Sequence, residues 1–309
     1  KADLMRFTIY QESRQGGRAN NEDRTTYCYS RDALLMVVAD GMGGHHYGEI
    51  AAQIVVQTLA DSFQREARPL LADPFRFLQK GMTNAHHAIL DYASRHKLKD
   101  TPRTTCVACI VQDNVGYWAH AGDSRLYLIR DGRLIAQTKD HSRIRLLIDE
   151  GMITEAQAHF HPDRNKIYSC LGSPTPPEIE FSRKTPLDHG DIVLLSTDGL
   201  WGEIPGEMMA TSLKGANLVQ AIPQLLSQAE AKAGAHGDNL SVVAVRWEDT
   251  YVEDASSAIS TQTMTQDEVT TRLDEFGRNP AYKSDLSDDE IERAIDEIRS
   301  AIDKYTPKK

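Results

Sequence analysis

Leu34-Leu35-Met36-Val37-Val38-Ala39-Asp40-Gly41 is an uninterrupted apolar run that ends on a carboxylate and a glycine. A run this short, rich in branched side chains and closed by a turn residue, reads as a buried strand. Ile192-Val193-Leu194-Leu195-Ser196-Thr197-Asp198-Gly199 repeats the arrangement. Each strand buries its interior and delivers an aspartate at its C-terminal end, where glycine lets the backbone turn and brings a carbonyl close to a ligand. Gly237-Asp238-Asn239 stands at the opposite kind of position, just before the apolar run Leu240–Arg246, and Asn21-Glu22-Asp23 likewise precedes Thr25–Ser30. If these strands run antiparallel to the first two, all four acidic sites meet at one edge of the sheets. Asp123, in Ala121-Gly122-Asp123-Ser124-Arg125, falls in a turn between two further strands and fits the same edge.

Taken singly, each piece has a plainer explanation. Asp-Gly after a strand is more often a turn than a ligand set, and Asn-Glu-Asp makes an ordinary solvated loop. Gathered on one edge, the carboxylates repel and raise one another's pKa, which is hard to maintain without cations. Oxygen ligands of this kind suit Mg2+ or Mn2+ rather than Zn2+. Carboxylates shared by two such ions describe a hydrolytic site in which a water becomes a nucleophile near neutral pH. Arg18, four residues before Glu22, is spaced to supply a bidentate phosphate clamp, with an exposed surface charge as the plainer alternative.

Around these stretches strand signals dominate the first 248 residues, at Thr25–Ser30, Ala33–Val38, Cys106–Gln112, Gly116–His120, Arg125–Ile129, Asp191–Ser196 and Leu240–Arg246. Apolar side chains at helical spacing predict helices over Gly48–Glu66 and Pro74–His96, and a third over Gly215–Ala233. Strands and helices are grouped rather than alternating, which points to an α+β or layered sandwich and away from a doubly wound sheet.

The 309 residues suffice for one large domain with an appendage, or for two small domains. No apolar run approaches the ~20 residues needed to span a bilayer. Lys1–Tyr10 has no hydrophobic core of the signal-peptide type, and the expected location is cytoplasmic. The net charge of -10 is uneven: residues 249–309 hold 15 acidic and 8 basic side chains, residues 1–248 hold 30 and 27. An acidic balance argues against nucleic acid and against an anionic membrane surface as partners. Four cysteines make no disulfide scaffold in a chain this long. Cys106 and Cys109 match CxxC, but three positions along a strand they point to opposite faces, so they read as buried thiols.

Beyond Glu248 the composition changes. Residues 249–264 read as a linker and 265–309 as a two-helix tail. Thr265-Gln266-Asp267-Glu268 is a capping-box pattern, with Met264 and Val269 as a hydrophobic staple and Gly277 as the stop. Ser287-Asp288-Asp289-Glu290 repeats the device, with Leu286 and Ile291 as the staple, before a helix whose apolar face runs from Ile291 to Tyr305.

The ordered set Arg18-Ala19-Asn20-Asn21-Glu22-Asp23, Asp40-Gly41-Met42-Gly43-Gly44, Thr104-Thr105, Ala121-Gly122-Asp123-Ser124-Arg125, Asp140-His141-Ser142, Leu171-Gly172, Ser196-Thr197-Asp198-Gly199 and Gly237-Asp238-Asn239 resembles the type-2C metal-dependent Ser/Thr protein phosphatases (PPM family), most closely the bacterial branch. The resemblance covers about residues 5 to 248. It implies an α-β-β-α sandwich, two antiparallel sheets flanked by helices, to which this chain adds a helical C-terminal tail. It implies two Mn2+ or Mg2+ ions: Asp40 bridging both, the Gly41 carbonyl on one, Asp198 and Asp238 on the first, Glu22 and Asp23 acting largely through water. Asp123 matches the residue that holds a third, weaker ion with Asp198, and Arg18 matches the phosphate-binding arginine. The implied reaction is direct attack of a metal-activated water on phosphoserine or phosphothreonine in proteins, in signal transduction that opposes a bacterial Ser/Thr kinase.

Some positions depart from the pattern. Met42 stands where many eukaryotic members carry a histidine proposed as general acid, and His45 and His46 nearby read better as structural. Arg103 replaces the usual glycine before Thr104, and Ser169-Cys170 stand where a basic residue is common. Residues 143–168 correspond to a flap beside the active site, and His141 reads as a helix-start hydrogen bond. Two rivals remain: a non-catalytic phosphoprotein-binding module on the same fold, and a small-molecule phosphomonoesterase. The tail is expected to dock on its own domain or to mediate self-association, with autoinhibition as a further hypothesis.

Overall fold

The computed structural model describes residues 5–42, 47–158, 161–164, 166–248, 259–273 and 288–305. Two antiparallel sheets form its centre. In the first, the strands run in the order Ile259–Ser260, Arg6–Arg14, Leu240–Trp247, Ile192–Ser196, Arg125–Arg130 and Arg133–Gln137. In the second, the order is Glu180–Phe181, Val115–Ala121, Cys106–Gln112, Ala33–Ala39, Arg24–Tyr29 and Thr270–Leu273. Each central strand is apolar on both sides because it faces the other sheet on one side and a helix on the other. Ala33–Ala39 is buried throughout. Its Leu34, Met36 and Val38 enter the core between the sheets, while Leu35 and Val37 enter the core under the helices.

The helices complete an α-β-β-α sandwich. Tyr47–Glu66 and Pro74–Arg95 cover the second sheet, with Ile54, Leu59, Phe63, Leu78 and Met82 fully buried there. Asp73 caps the second of these by accepting from Arg76 N at 3.1 Å, and Pro74 opens its first turn. Leu218–Ala233 covers the first sheet through Ile222, Leu225 and Leu226. It starts later than predicted because Asn217 accepts from Val219 N at 2.9 Å and so fixes the cap. Cys106 lies in the helix-side core and Cys109 in the inter-sheet core, and burial pushes both thiols up, as expected of inert strand cysteines.

Among the strands that escape the sequence pattern, two are longer than four residues. Arg6–Arg14 and Arg133–Gln137 lie at or next to a sheet edge, and polar residues keep one side of each wet.

The tail differs from its sequence reading. Ile259–Ser260 falls inside the expected linker and pairs with Arg6–Arg14 as the outermost strand of the first sheet. The helix expected from Thr265 is instead a turn and then the strand Thr270–Leu273, which pairs antiparallel with Arg24–Tyr29. The capping contact does form, with Thr265 N donating to Glu268 Oε2 at 3.3 Å. An open strand edge nevertheless offers a row of unpaired backbone groups, and the β-branched run Val269-Thr270-Thr271 takes it in preference to a helix. Gly277, Leu286 and Ser287 lie outside the described residues, as does the Ile291 side chain. The last helix, Asp288–Asp303, has Ile298, Ala301 and Ile302 buried in the same core as the apolar faces of Tyr47–Glu66 and Pro74–Arg95.

Candidate active site

Register brings the acidic residues to one edge. Arg24 pairs with Ala39, so Glu22-Asp23 and Asp40 flank the same end of neighbouring strands. Ser196 pairs with both Val242 and Arg125, which aligns Asp198, Asp238 and Asp123 at the corresponding end of the other sheet. A cleft of about 410 Å3 opens there, lined by Arg18, Glu22, Asp40, Gly41, Met42, Asp123, Asp198 and Asp238, with Ala19, Asn20, Ile167 and Asn239 completing its wall. Asp23 is the sequence-predicted residue that does not line it. Successive residues of an extended chain point to opposite sides, so Glu22 faces the cleft while Asp23 turns inward. Asp23 is buried and accepts from Thr197 Oγ1 at 2.8 Å, bracing the residue before Asp198.

Asp40 is held by threonines. Its backbone N donates to Thr105 Oγ1 at 2.9 Å, and its carbonyl accepts from Thr105 N and Thr104 Oγ1, both at 2.9 Å. Arg103 is exposed, and it pairs with Met42 in the two-residue ladder Gly41–Met42 against Arg103–Thr104. Gly41 is required by close approach, since a Cβ there would meet Gly48 O at 2.2 Å and Glu22 O at 2.6 Å. Gly122 is required by its backbone, φ +109, in the turn that presents Asp123.

The electrostatics match the donor set. Burial pushes the Asp40 and Asp123 carboxyls well above the usual range, and repulsion from neighbouring aspartates adds to it. Asp198 is raised mainly by burial, then by Asp238. Burial, reinforced by Glu49, lifts Glu22 to about 7. Asp198 Oδ1 is buried without a hydrogen-bond partner among the described residues. Hard oxygen donors, mutually destabilised and short of partners, fit a pair of divalent cations better than they fit one another. Arg18 Nη2 donates to Asp238 Oδ2 at 2.6 Å from a side chain left 56% exposed, within reach of the cleft and of solvent.

Several residues to which the sequence motifs give no role of their own support the site. Asn239 Oδ1 accepts from Glu22 N at 2.9 Å, and its Nδ2 donates to Gln15 O and Asn20 O at 2.8 and 2.9 Å. It thereby ties the Arg18 loop to the start of the Leu240–Trp247 strand. Its position beside Asp238 was the only signal. Arg125 forms a bidentate pair with Asp140 at 2.7 Å for both bonds and stacks on Trp201, its guanidinium 3.5 Å from the ring centroid. Ser169 and Cys170 are buried, with Ser169 Oγ donating to Glu178 O at 2.9 Å, so they brace the chain rather than face the cleft.

The flap begins with Ser142, not His141, as the helix cap: Ser142 Oγ accepts from Arg145 N at 3.2 Å at the start of Arg143–Asp149. His141 instead turns inward and is buried. Met42 supplies no acid to the cleft. Gly43, Gly44, His45 and His46 lie outside the described residues.

The protein phosphatase 2C family model matches residues 11–241. Serine/threonine phosphatase stp of Listeria monocytogenes is 30% identical over 231 residues, which make up 74% of this chain and 90% of that protein. Serine/threonine protein phosphatase PstP of Mycobacterium tuberculosis is 34% identical over 227 residues, 73% of this chain but 42% of that longer protein. The crystal structure of the PstP catalytic domain in complex with two manganese ions superimposes with a TM-score of 0.67 at 31% identity, covering 79% of this chain and 99% of that one.

Proposed function

The chain belongs to the protein phosphatase 2C family, and from that premise we propose that it hydrolyses phosphoserine and phosphothreonine in proteins, with Glu22, Asp40, Asp198, Asp238 and the Gly41 carbonyl holding Mn2+ or Mg2+. The observation that carries this reading is the convergence of Asp40, Asp123, Asp198 and Asp238 with Glu22 in one cleft that has Arg18 at its rim. The bound cations supply a Lewis acid for the phosphoryl oxygens and a water acidified to near-neutral pKa. Asp40 is fixed by Thr104 and Thr105, so its carboxylate is presented without reorganisation. Asp23 braces Thr197 and so orients Asp198 from below rather than from within the cleft. Arg18 exchanges Asp238 for the substrate phosphate, where its planar fork engages two oxygens. Asp123 completes a weaker third site with Asp198.

The partner on this reading is a phosphorylated protein, the product of a Ser/Thr kinase that the enzyme opposes. The tail is read as docking on its own domain: Tyr305 Oη and Lys304 Nζ both reach Asp91 Oδ2, at 2.7 and 2.8 Å. Among the described residues no helix is long and apolar enough to cross a membrane, and the reading places the enzyme in the cytoplasm. A non-catalytic binding module would have no use for acids that repel one another in a single cleft.

Hydrolysis of a phosphothreonine peptide with and without Mn2+, in the wild type and in Asp198→Asn, tests the function. Activity that requires the metal and disappears in the variant is the expected result. Equal turnover of sugar phosphates would reassign the substrate class, and binding of the peptide without turnover would return the chain to a scaffold role.

A further inference from the structure

Outside the cleft, His120, His141 and Glu180 converge. His120 lies in the strand Val115–Ala121 directly across from Glu180. The His141 ring packs on it, centroids 4.6 Å apart and planes at 30°, and Tyr168 stacks on His141 with centroids 5.4 Å apart. Both imidazoles are buried. His141 Nε2 is shielded from solvent, has no hydrogen-bond partner among the described residues, and lies 3.5 Å from Glu180 Oε2. One ligand atom from each of the three residues falls within 4.8 Å of the other two. His120 Nε2 lies 2.7 Å from Lys139 O, an acceptor only, so this nitrogen carries the proton and Nδ1 keeps its lone pair. A backbone carbonyl holding the distal nitrogen is the support that metal-ligating histidines have.

We propose that His120, His141 and Glu180 form a binding site for a borderline divalent transition cation, with zinc as its test ion, separate from the carboxylate cleft. Two imidazoles and one carboxylate, with a fourth position open, suit zinc, whereas the cleft offers only hard oxygens. Bonds of about 2.0–2.1 Å to a tetrahedral ion need ligand atoms roughly 3.3 Å apart. His141 and Glu180 already stand near that spacing. Glu180, 51% exposed on a two-residue edge strand, is free to close the rest.

Occupation has a consequence for the cleft. Gly122 N donates to His141 Nδ1 at 3.4 Å, so the empty site keeps the His141 proton on Nε2, facing Glu180. A cation on Nε2 moves that proton to Nδ1, where it opposes the Gly122 N–H. Gly122 precedes Asp123, so zinc loosens the turn that presents Asp123 and lowers turnover. The binding claim stands without the phosphatase reading, and the inhibitory consequence rests on it.

The test is a zinc titration of the full chain against a chromophoric chelator, with excess Mg2+ to saturate the cleft. The wild type is expected to bind one zinc per chain. Glu180→Gln, an exposed change that leaves folding and basal turnover intact, and His120→Gln should each weaken binding about tenfold or more. Asp198→Asn should retain it. Wild-type affinity in both the Glu180→Gln and His120→Gln variants, loss in Asp198→Asn, or no bound zinc at all would overturn the site. Zinc should also inhibit Mn2+-supported hydrolysis in the wild type and spare Glu180→Gln; equal inhibition of both removes the link to Asp123 and leaves the site. Absence of Mn2+-supported hydrolysis in every protein would count against the phosphatase reading alone.

Discussion

Asn239 shows how much of the site is built by residues with no chemistry of their own. Its amide makes three hydrogen bonds that join Glu22, Gln15 and Asn20. Asn239→Ala strands those backbone groups at a part-buried position, a loss of about 1–3 kcal/mol. Because Arg18 rides on the loop so released, KM for a phosphopeptide should rise more than kcat falls; steady-state kinetics with an unchanged KM would remove Asn239 from the positioning set. Arg18→Ala acts directly on phosphate binding. It should cost roughly tenfold or more in kcat/KM, and Arg18→Lys should recover only part, because an ammonium cannot form the fork. The acidic residues themselves were legible because each sits at a strand end beside a glycine or asparagine, a pattern fixed by local sequence. Asp23 reads like Glu22 from sequence because spacing does not say which of two adjacent side chains turns inward; that depends on Thr197 from a distant strand. The place of His141 is hidden from sequence for the same reason: its surroundings come from His120 and Tyr168, which no local rule brings together.

At the level of elements, central strands and long helices were read from sequence to within a few residues, because burial on both faces leaves an unbroken apolar run. Edge strands were not. Arg6–Arg14 is half polar, and Thr270–Leu273 carries a sound helix-capping signal that an open sheet edge overrides. Ile259–Ser260 and Thr270–Leu273 each form one outer edge of a sheet, and Asp288–Asp303 packs against the helix pair. Among the described residues none beyond Asn239 lines the cleft. Ending the chain after Glu248 should therefore lower Tm and promote self-association through the bared edges, while kcat/KM on a small aryl phosphate stays within about twofold. A large activation on deletion would instead support autoinhibition. Ile298→Ala isolates the helix contribution: filling nothing in its place, it should cost about 2–5 kcal/mol in denaturant unfolding without touching turnover.

For the molecule as a whole, the cleft couples stability to pH and metal. The carboxyls of Glu22, Asp40, Asp123 and Asp198 are raised in the folded chain above their unfolded values. Between those values the native state holds more protons than the unfolded state, so stability falls as pH rises. For Glu22 the window runs from the ordinary 4.5 to about 7. Protein stripped of divalent ions should thus lose Tm steadily across that window, the buried aspartates extending the slope in the same direction. Mn2+ competes with those protons for the same oxygens. Its addition should raise Tm most at the alkaline end, flatten the slope, and release protons measurable as a buffer-dependent heat of binding. Asp40→Asn removes one of the repelling acids and should stabilise the metal-free protein near neutral pH while weakening Mn2+ binding. Thermal scans over the pH series, with and without Mn2+, decide the matter: a metal-free Tm that rises from pH ~5 to ~7 would mean that these carboxyls are paired rather than opposed, and that the cleft is not organised around cations.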